Sequence, residues 1–168
     1  MTAFEDVLGR TLDGDLGQSP AGIEVRPARA EELDAWVDVL VEGFAHPDDE
    51  GVPTPEEFPR DVVDRAERDF QNAGVTPYVA LIDGDIAGGG CLHITARVAQ
   101  LAGAATAPAH RRRGVQTALL STRLRIAAQA GADLAVVTTA PGSPSQRNAQ
   151  HRGFHLLYTR AILVKDAQ

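Results

Sequence analysis

Three arginines and a glycine, Arg111-Arg112-Arg113-Gly114, lie between a run of small and β-branched residues that ends at Ala107-Pro108 and an apolar helix pattern that begins at Val115. Residues of these types in this order compress a strand end, a basic turn and a helix start into one segment. The first turn of a helix leaves backbone N–H groups unpaired, the helix dipole makes that end positive, and guanidinium groups add charge. The chemistry this supports is phosphate binding. A solvated turn and an RNA or DNA contact are the other readings of a basic triplet. Against nucleic acid stand the formal net charge of −7 and an aromatic content of 5%, since phosphates repel an acidic surface and bases need rings to stack on. No G-x-x-x-x-G-K-[S/T] run occurs, and no G-x-G-x-x-G follows a strand, which excludes the P-loop and the dinucleotide fingerprint.

His93 is the second candidate for chemistry, because imidazole is the side chain best matched to proton transfer near neutral pH. A hairpin turning at Ala96-Arg97 makes His93 the cross-strand neighbour of Gln100, with Cys91 on the same face. A structural histidine and a relay through an ordered water are the alternatives to a base. Cys91 reads as a small core residue, having no neighbouring charge to favour a thiolate. His110, His151 and His155 lack metal-ligand spacing, so no metal site is expected. Asp34, Asp38, Glu42, Asp48, Asp49 and Glu50 read as solvated acidic faces, the other reading being an acidic rim that would attract a cationic amine.

These residues need a scaffold, and the periodicities supply one. Ile23–Arg26 reads as a strand; Leu33, Trp36, Val37, Leu40, Val41 and Phe44 follow helical spacing. An acidic loop over His46–Pro55 leads to a second helix that starts either at Pro55, behind a capping box at Thr54–Glu57, or at Pro59, with a buried stripe of Phe58, Val62, Ala66 and Phe70 and Gly74 as terminator. Tyr78–Ile82, Ile86–Thr95 and Val98–Thr106 read as strands joined by turns at Asp83-Gly84 and Ala96-Arg97. Val115, Leu119, Thr122 and Ile126 mark a third helix closed by Gly131. Asp133–Thr139 suits a central strand buried on both faces, Ser143–Gln146 caps a short helix ended by Gly153, and Leu156–Val164 supplies a last strand. The order β-α-α-β-β-β-α-β-α-β predicts an α/β (α+β) fold, a mixed, mostly antiparallel central sheet with helices on both faces.

From Ile23 to Lys165 the chain resembles the GNAT superfamily of N-acetyltransferases. The family's acetyl-CoA signature, Q/R-x-x-G-x-G/A, reads here Arg111-Arg-Arg-Gly114-Val-Gln116, preceded by Pro108; the closing strand, short helix and Gly-Phe pair read Leu134–Thr139, Ser143–Arg152 and Gly153-Phe154. The resemblance implies acetyl-CoA as co-substrate, its pyrophosphate on the amides of Arg112, Arg113, Gly114, Val115, Gln116 and Thr117 with Arg111 and Arg113 neutralising it. It implies pantetheine along Ala105, Thr106 and Ala107, and an amide from Asn148 to the same arm; a local backbone bond is the other reading of Asn148. Gly88-Gly-Gly90 would lie across from Gly103–Ala105, a small-residue patch of the kind that marks a bulge or a ligand's approach.

Three positions depart from the family pattern. Gln116 replaces the last glycine or alanine of the signature, Gln100 falls where many members carry a basic carboxylate, and Ala149 where many carry a tyrosine acid. The resemblance implies an N-acetyltransferase acting on an amine of a small molecule or peptide by direct attack on the thioester; with both catalytic positions of the family replaced, His93 is the catalytic residue expected from its register opposite Gln100. A catalytically inactive acyl-CoA-binding regulatory domain is the alternative.

The 168 residues suffice for one domain, with 43% apolar and 23% charged residues. One cysteine excludes an internal disulfide. No apolar stretch approaches the roughly 20 residues of a spanning helix, and residues 1–18 lack a basic leader region. No membrane or nucleic-acid partner and a cytoplasmic location are expected; a homodimer is left open. Residues 1–21, broken by Gly9, Gly14, Gly17 and Pro20, read as a flexible N-terminal tail with room for a short helix near Phe4–Leu8, or a linker to an upstream domain, ahead of a single domain over 22–168.

Overall fold

The structure, a computed structural model, describes residues 2–46, 62, 65, 69 and 73–163. Seven strands form one sheet: β1 Thr2–Thr11, β2 Glu24–Pro27, β3 Thr76–Ile82, β4 Asp85–Thr95, β5 Val98–Thr106, β6 Leu134–Thr139 and β7 His155–Leu163. Two tight hairpins build its centre. Their turn residues, Asp83-Gly84 (φ 54° and 92°) and Ala96-Arg97 (φ 46° and 64°), are left-handed, as a turn matching the twist of antiparallel strands requires. Alanine and arginine adopt this conformation reluctantly. A clamp holds the second turn: Arg97 Nε lies 2.5 Å from Asp133 Oδ2, and Asp133 N donates to Arg97 O at 2.8 Å.

The strand order is β2-β3-β4-β5-β6-β1-β7. Only β5 and β6 run parallel; every other pair is antiparallel. Residues Thr2–Thr11, expected as part of a flexible tail with a short helix near Phe4–Leu8, instead form a strand between the last two strands of the chain. Its face packs Leu8, fully buried, into the core, and Asp6 stands buried opposite Thr139 and Thr159. Glu5, Asp6, Gly9 and Arg10 are poor strand formers, which hid the pattern. The tertiary setting overrides them. A Cβ at Gly9 would lie 2.8 Å from Leu157 Cδ1, the end of an exposed side chain that would have to turn aside.

Because β1 is sixth in the sheet and β2 first, residues 12–23 must cross the fold. They do so over the outside of a helix, with Ser19 Oγ 3.0 Å from Thr122 Oγ1 and Arg125 Nη2 donating to Ser19 Oγ at 2.9 Å.

Among the described residues Val62, Arg65 and Asp69 are helical, and the helices that bear on the site are α1 Leu33–Ala45, α2 Val115–Gln129 and α3 Pro144–His151. On one side of the sheet α1 buries Trp36, Val37 and Leu40 against Val79, Leu81 and Cys91. Trp36 Nε1 donates to Tyr78 O at 2.9 Å, so the buried indole keeps no unpaired donor. On the other side α2 and α3 cover Leu8, Leu92, Leu101, Ala135 and Phe154 with Leu119, Leu124 and Ala149. Each fully buried Leu or Phe among these contributes roughly 1.5–3 kcal/mol of transfer free energy. Ser143 caps α3 as expected, accepting from Gln146 N at 3.1 Å.

Two expectations need correction. Of the β6 residues only Ala135 and Thr139 are buried, not the whole strand, because α1 packs mainly over β4 and β5. Val62, expected on a buried stripe, is 49% exposed. Its companions Phe58, Ala66 and Phe70, the Thr54–Glu57 capping box and the His46–Pro55 loop beyond His46 lie outside the described residues. Among the described residues no helix is long and apolar enough to cross a membrane. Along the outer strand Leu156, Leu157, Tyr158 and Leu163 are exposed, as is Phe4 on β1.

Candidate functional site

The segment after β5 folds as its residue types demand. Ala107 N donates to Ala87 O, Pro108–His110 makes one 3-10 turn, and the chain then enters α2 through Gly114. Arg112 (φ 60°) and Gly114 (φ 86°) are both left-handed, so the turn is sharp. The first intrahelical bond runs from Ala118 N to Gly114 O. The amides of Val115, Gln116 and Thr117, lying ahead of it, face out of the helix end as the positive pole of its dipole. Arg112 and Arg113 are exposed beside them, and Arg113 Nη1 donates to His110 Nδ1 at 3.2 Å. Arg111 turns the other way: its Nη2 donates to Gly43 O and His46 O, the carbonyl end of α1. A guanidinium there complements the negative helix terminus. Asn148 Nδ2 donates to Gln116 Oε1 at 2.6 Å, bringing these two expected ligand contacts together.

Beside this helix start the sheet parts. Pairing between β5 and β6 begins at Val98–Leu134 and stops at Leu101–Val137. From Ala102 onward β5 keeps only β4 as partner, while β6 continues with β1 through Thr139. The free edge therefore carries Ala104, Ala105 and Thr106, leading to Ala107. The pairs Cys91–Ala102 and Gly89–Ala105 enclose Gly90 on β4 but both Gly103 and Ala104 on β5. This is a bulge of one extra residue, with Gly103 left-handed at φ 55°.

The glycines of β4 answer to this chain's own packing. A Cβ at Gly88 would stand 2.6 Å from Val115 Cγ1, one at Gly89 2.5 Å from Trp36 Nε1, and one at Gly90 2.9 Å from Arg123 Nη1. Gly43 of α1 is pressed as closely onto the free edge; its Cβ would stand 2.7 Å from Ala105 Cβ.

His93 pairs with Gln100, the register expected from the turn. It is half-buried on the face that Cys91 shares with α1. Its Nδ1 lies 3.3 Å from Gly74 O. A carbonyl can only accept, so this bond calls for Nδ1–H and leaves Nε2 of the neutral ring able to take a proton. Gln100 is exposed and Ala149 buried. On α1, Asp34, Asp38 and Glu42 are exposed; Asp48, Asp49 and Glu50 lie outside the described residues.

Two buried polar groups near the parted strands had no place in the sequence reading. Asp6 on β1 accepts from Gln146 Nε2 and from Thr159 Oγ1, both at 2.5 Å, while Gln146 Oε1 accepts from Gly142 N at 2.6 Å. The inserted strand thus holds the turn between β6 and α3. Arg123, 2% exposed, sits under the bulge, and burial pushes its pKa down to about 10. Burial also raises the Tyr78 hydroxyl, with Arg123 opposing that shift. An arginine at a buried helical position was the available signal for the second; nothing short of the strand order could have placed the first.

Several solved structures share the fold. A GCN5-related N-acetyltransferase from Kribbella flavida matches with a TM-score of 0.64 at 21% identity, over 95% of this chain and 56% of that one. Another GCN5-related N-acetyltransferase, from Sphaerobacter thermophilus, gives 0.68 at 21% identity over 93% and 49%. An acetyltransferase of the GNAT family from Colwellia psychrerythraea gives 0.69 at 15% identity over 96% and 55%. The chain thus spans about half the length of these proteins. A search of curated proteins finds no match. The family model described as the acetyltransferase (GNAT) family matches residues 40–154, well over half of the sequence, and the chain belongs to that family.

Proposed function

We propose that this domain transfers an acyl group from acetyl-CoA to an amine of a small molecule or peptide. The observation that carries the reading is the parting of β5 from β6 after Leu101–Val137, immediately beside the outward-facing amides of α2. A pyrophosphate on the amides of residues 112–117 would be stabilised by the helix terminus and by Arg112 and Arg113. Its pantetheine arm would run along Ala105, Thr106 and Ala107 as an added strand. Arg111 would act from behind, tying that turn to the end of α1.

With the thioester held in the gap, the amine nitrogen attacks the carbonyl carbon, the C–N bond forms, and the C–S bond breaks to release the coenzyme A thiolate. Positioning supplies most of the acceleration. A cationic acceptor first gives one proton to solvent to become the free amine; the proton lost as the C–N bond forms goes to His93 Nε2, directly or through water, and solvent protonates the thiolate. The exposed carboxylates Asp34, Asp38 and Glu42 on α1 support a cationic acceptor.

Calorimetric titration with acetyl-CoA, followed by thiol release across a panel of amines, tests this. Saturable binding and amine-dependent thiol release are expected. No binding at millimolar acetyl-CoA refutes the reading, and binding without release from any amine refutes transfer. Unchanged turnover in His93→Ala removes that residue from the mechanism.

A further inference from the structure

Helix α2 carries a guanidinium where a core helix ordinarily carries an aliphatic side chain. Arg123 lies among Leu119, Leu120, Leu124 and Ala127, all buried. Among the described residues its hydrogen bonds go to main-chain carbonyls: Nε to Leu119 O at 3.1 Å, Nη1 to Cys91 O at 2.8 Å and to Ala102 O at 3.3 Å. Burying a cation without a carboxylate is unfavourable, and a leucine would pack here without that penalty. The fork must therefore supply something an apolar side chain cannot.

What it supplies follows from where those carbonyls sit. Cys91 and Ala102 form the last pair before the β4–β5 bulge, and β5 loses β6 one residue earlier, at Leu101. At this point the strand is at once unpaired on one side and out of step on the other. The guanidinium donates to both strands there, and Gly90 leaves it room. We infer that Arg123 is a positioning residue for the acyl-donor site, bridging β4 and β5 at the bulge and thereby holding the free edge Ala104–Thr106 in the geometry that receives the pantetheine arm. This rests on the proposed binding of acetyl-CoA. Lysine, a point donor on a flexible stem, replaces the fork only in part.

The test separates the two halves of the donor. Acetyl-CoA needs both the phosphate cradle and the β5 edge; 3′-phospho-ADP, its nucleotide half, needs the cradle alone. Wild type, Arg123→Lys and Arg123→Met are titrated with each by calorimetry, below their melting temperatures. Arg123→Met is expected to weaken acetyl-CoA about tenfold, the scale of one lost hydrogen bond or two, and to leave 3′-phospho-ADP within about twofold; Arg123→Lys should fall between. Should Arg123→Met fail to fold, Gly90→Ala, which pushes on Nη1 while keeping the arginine, is expected to show the same selectivity. Equal weakening of both ligands in the folded variants overturns the inference in favour of a general structural role, as does unchanged affinity for acetyl-CoA. Wild type that binds neither ligand overturns the acyl-donor reading itself, and the inference with it.

Discussion

Replacing Gly89 by alanine adds one methyl group at the tightest point of the α1 face. Its Cβ would lie 2.5 Å from Trp36 Nε1, 2.8 Å from Cδ1 and 3.1 Å from Cε2. Trp36 is fully buried and bonded to Tyr78 O, so the indole can move only by repacking its neighbours and giving up that bond. Overpacking a dense core costs about 1–3 kcal/mol, and an unpaired buried donor about 1–3 kcal/mol. Since partial relaxation trades one against the other, a destabilisation of about 3 kcal/mol is expected. For a chain of this size that lowers Tm by roughly 6–12 °C. The control is Gly131→Ala, which meets nothing within 4 Å and bears only the strain of φ 82°, about 1 kcal/mol. Differential scanning calorimetry of both variants gives the comparison. Combining Gly89→Ala with Trp36→Phe, a smaller ring without the N–H, should show favourable coupling of about 1 kcal/mol in a double-mutant cycle. If Gly89→Ala is no less stable than Gly131→Ala, the glycine run does not exist to admit Trp36, and that explanation fails.

Three further outcomes follow from the buried and charged groups. Asp6→Ala leaves Gln146 Nε2 and Thr159 Oγ1 without their acceptor; denaturant titration should show a loss of about 2–4 kcal/mol, and a loss under 1 kcal/mol would contradict a β1 strand that anchors the β6–α3 turn. Glu32 is held at a pKa of about 2 by its bonds to Arg26, with Arg29 N–H assisting. A folded-state pKa below the unfolded one stabilises the protein above the unfolded value near 4.5, and that stabilisation is lost as pH falls toward 2. The Tm difference between wild type and Glu32→Gln should therefore be present at pH 6 and shrink from pH 4.5 to pH 2, and a difference independent of pH would refute the assignment. Arg111→Ala should weaken acetyl-CoA about tenfold in calorimetric titration through loss of charge at the turn and of its tie to α1; an unchanged Kd would exclude Arg111 from the donor site.

The local motifs were legible because each is written in neighbouring residues. The Ala107–Gly114 turn, the Ser143 cap and the hairpin register that sets His93 against Gln100 are governed by bonds spanning few positions, and side-chain type at those positions specifies them. The arrangement of helices on both faces of the sheet followed from the order of the elements. Other features depend on partners far along the chain. The glycines at 88–90 drew notice as a place of close approach, yet only packing shows that Val115, Trp36 and Arg123 are what approach them. Residues 2–11 looked like a tail because strand propensity is low there; they become a strand because β6 and β7 offer unpaired edges on both sides and Gln146 and Thr159 offer donors to Asp6. By itself the sequence determined the turn at Ala107–Gly114 and the order of the described elements from β2 onward, since both are set by local spacing. Only the tertiary structure decided that the first strand completes the sheet and that a buried arginine bridges its bulge, because both are set by which distant backbone groups would otherwise stay unpaired.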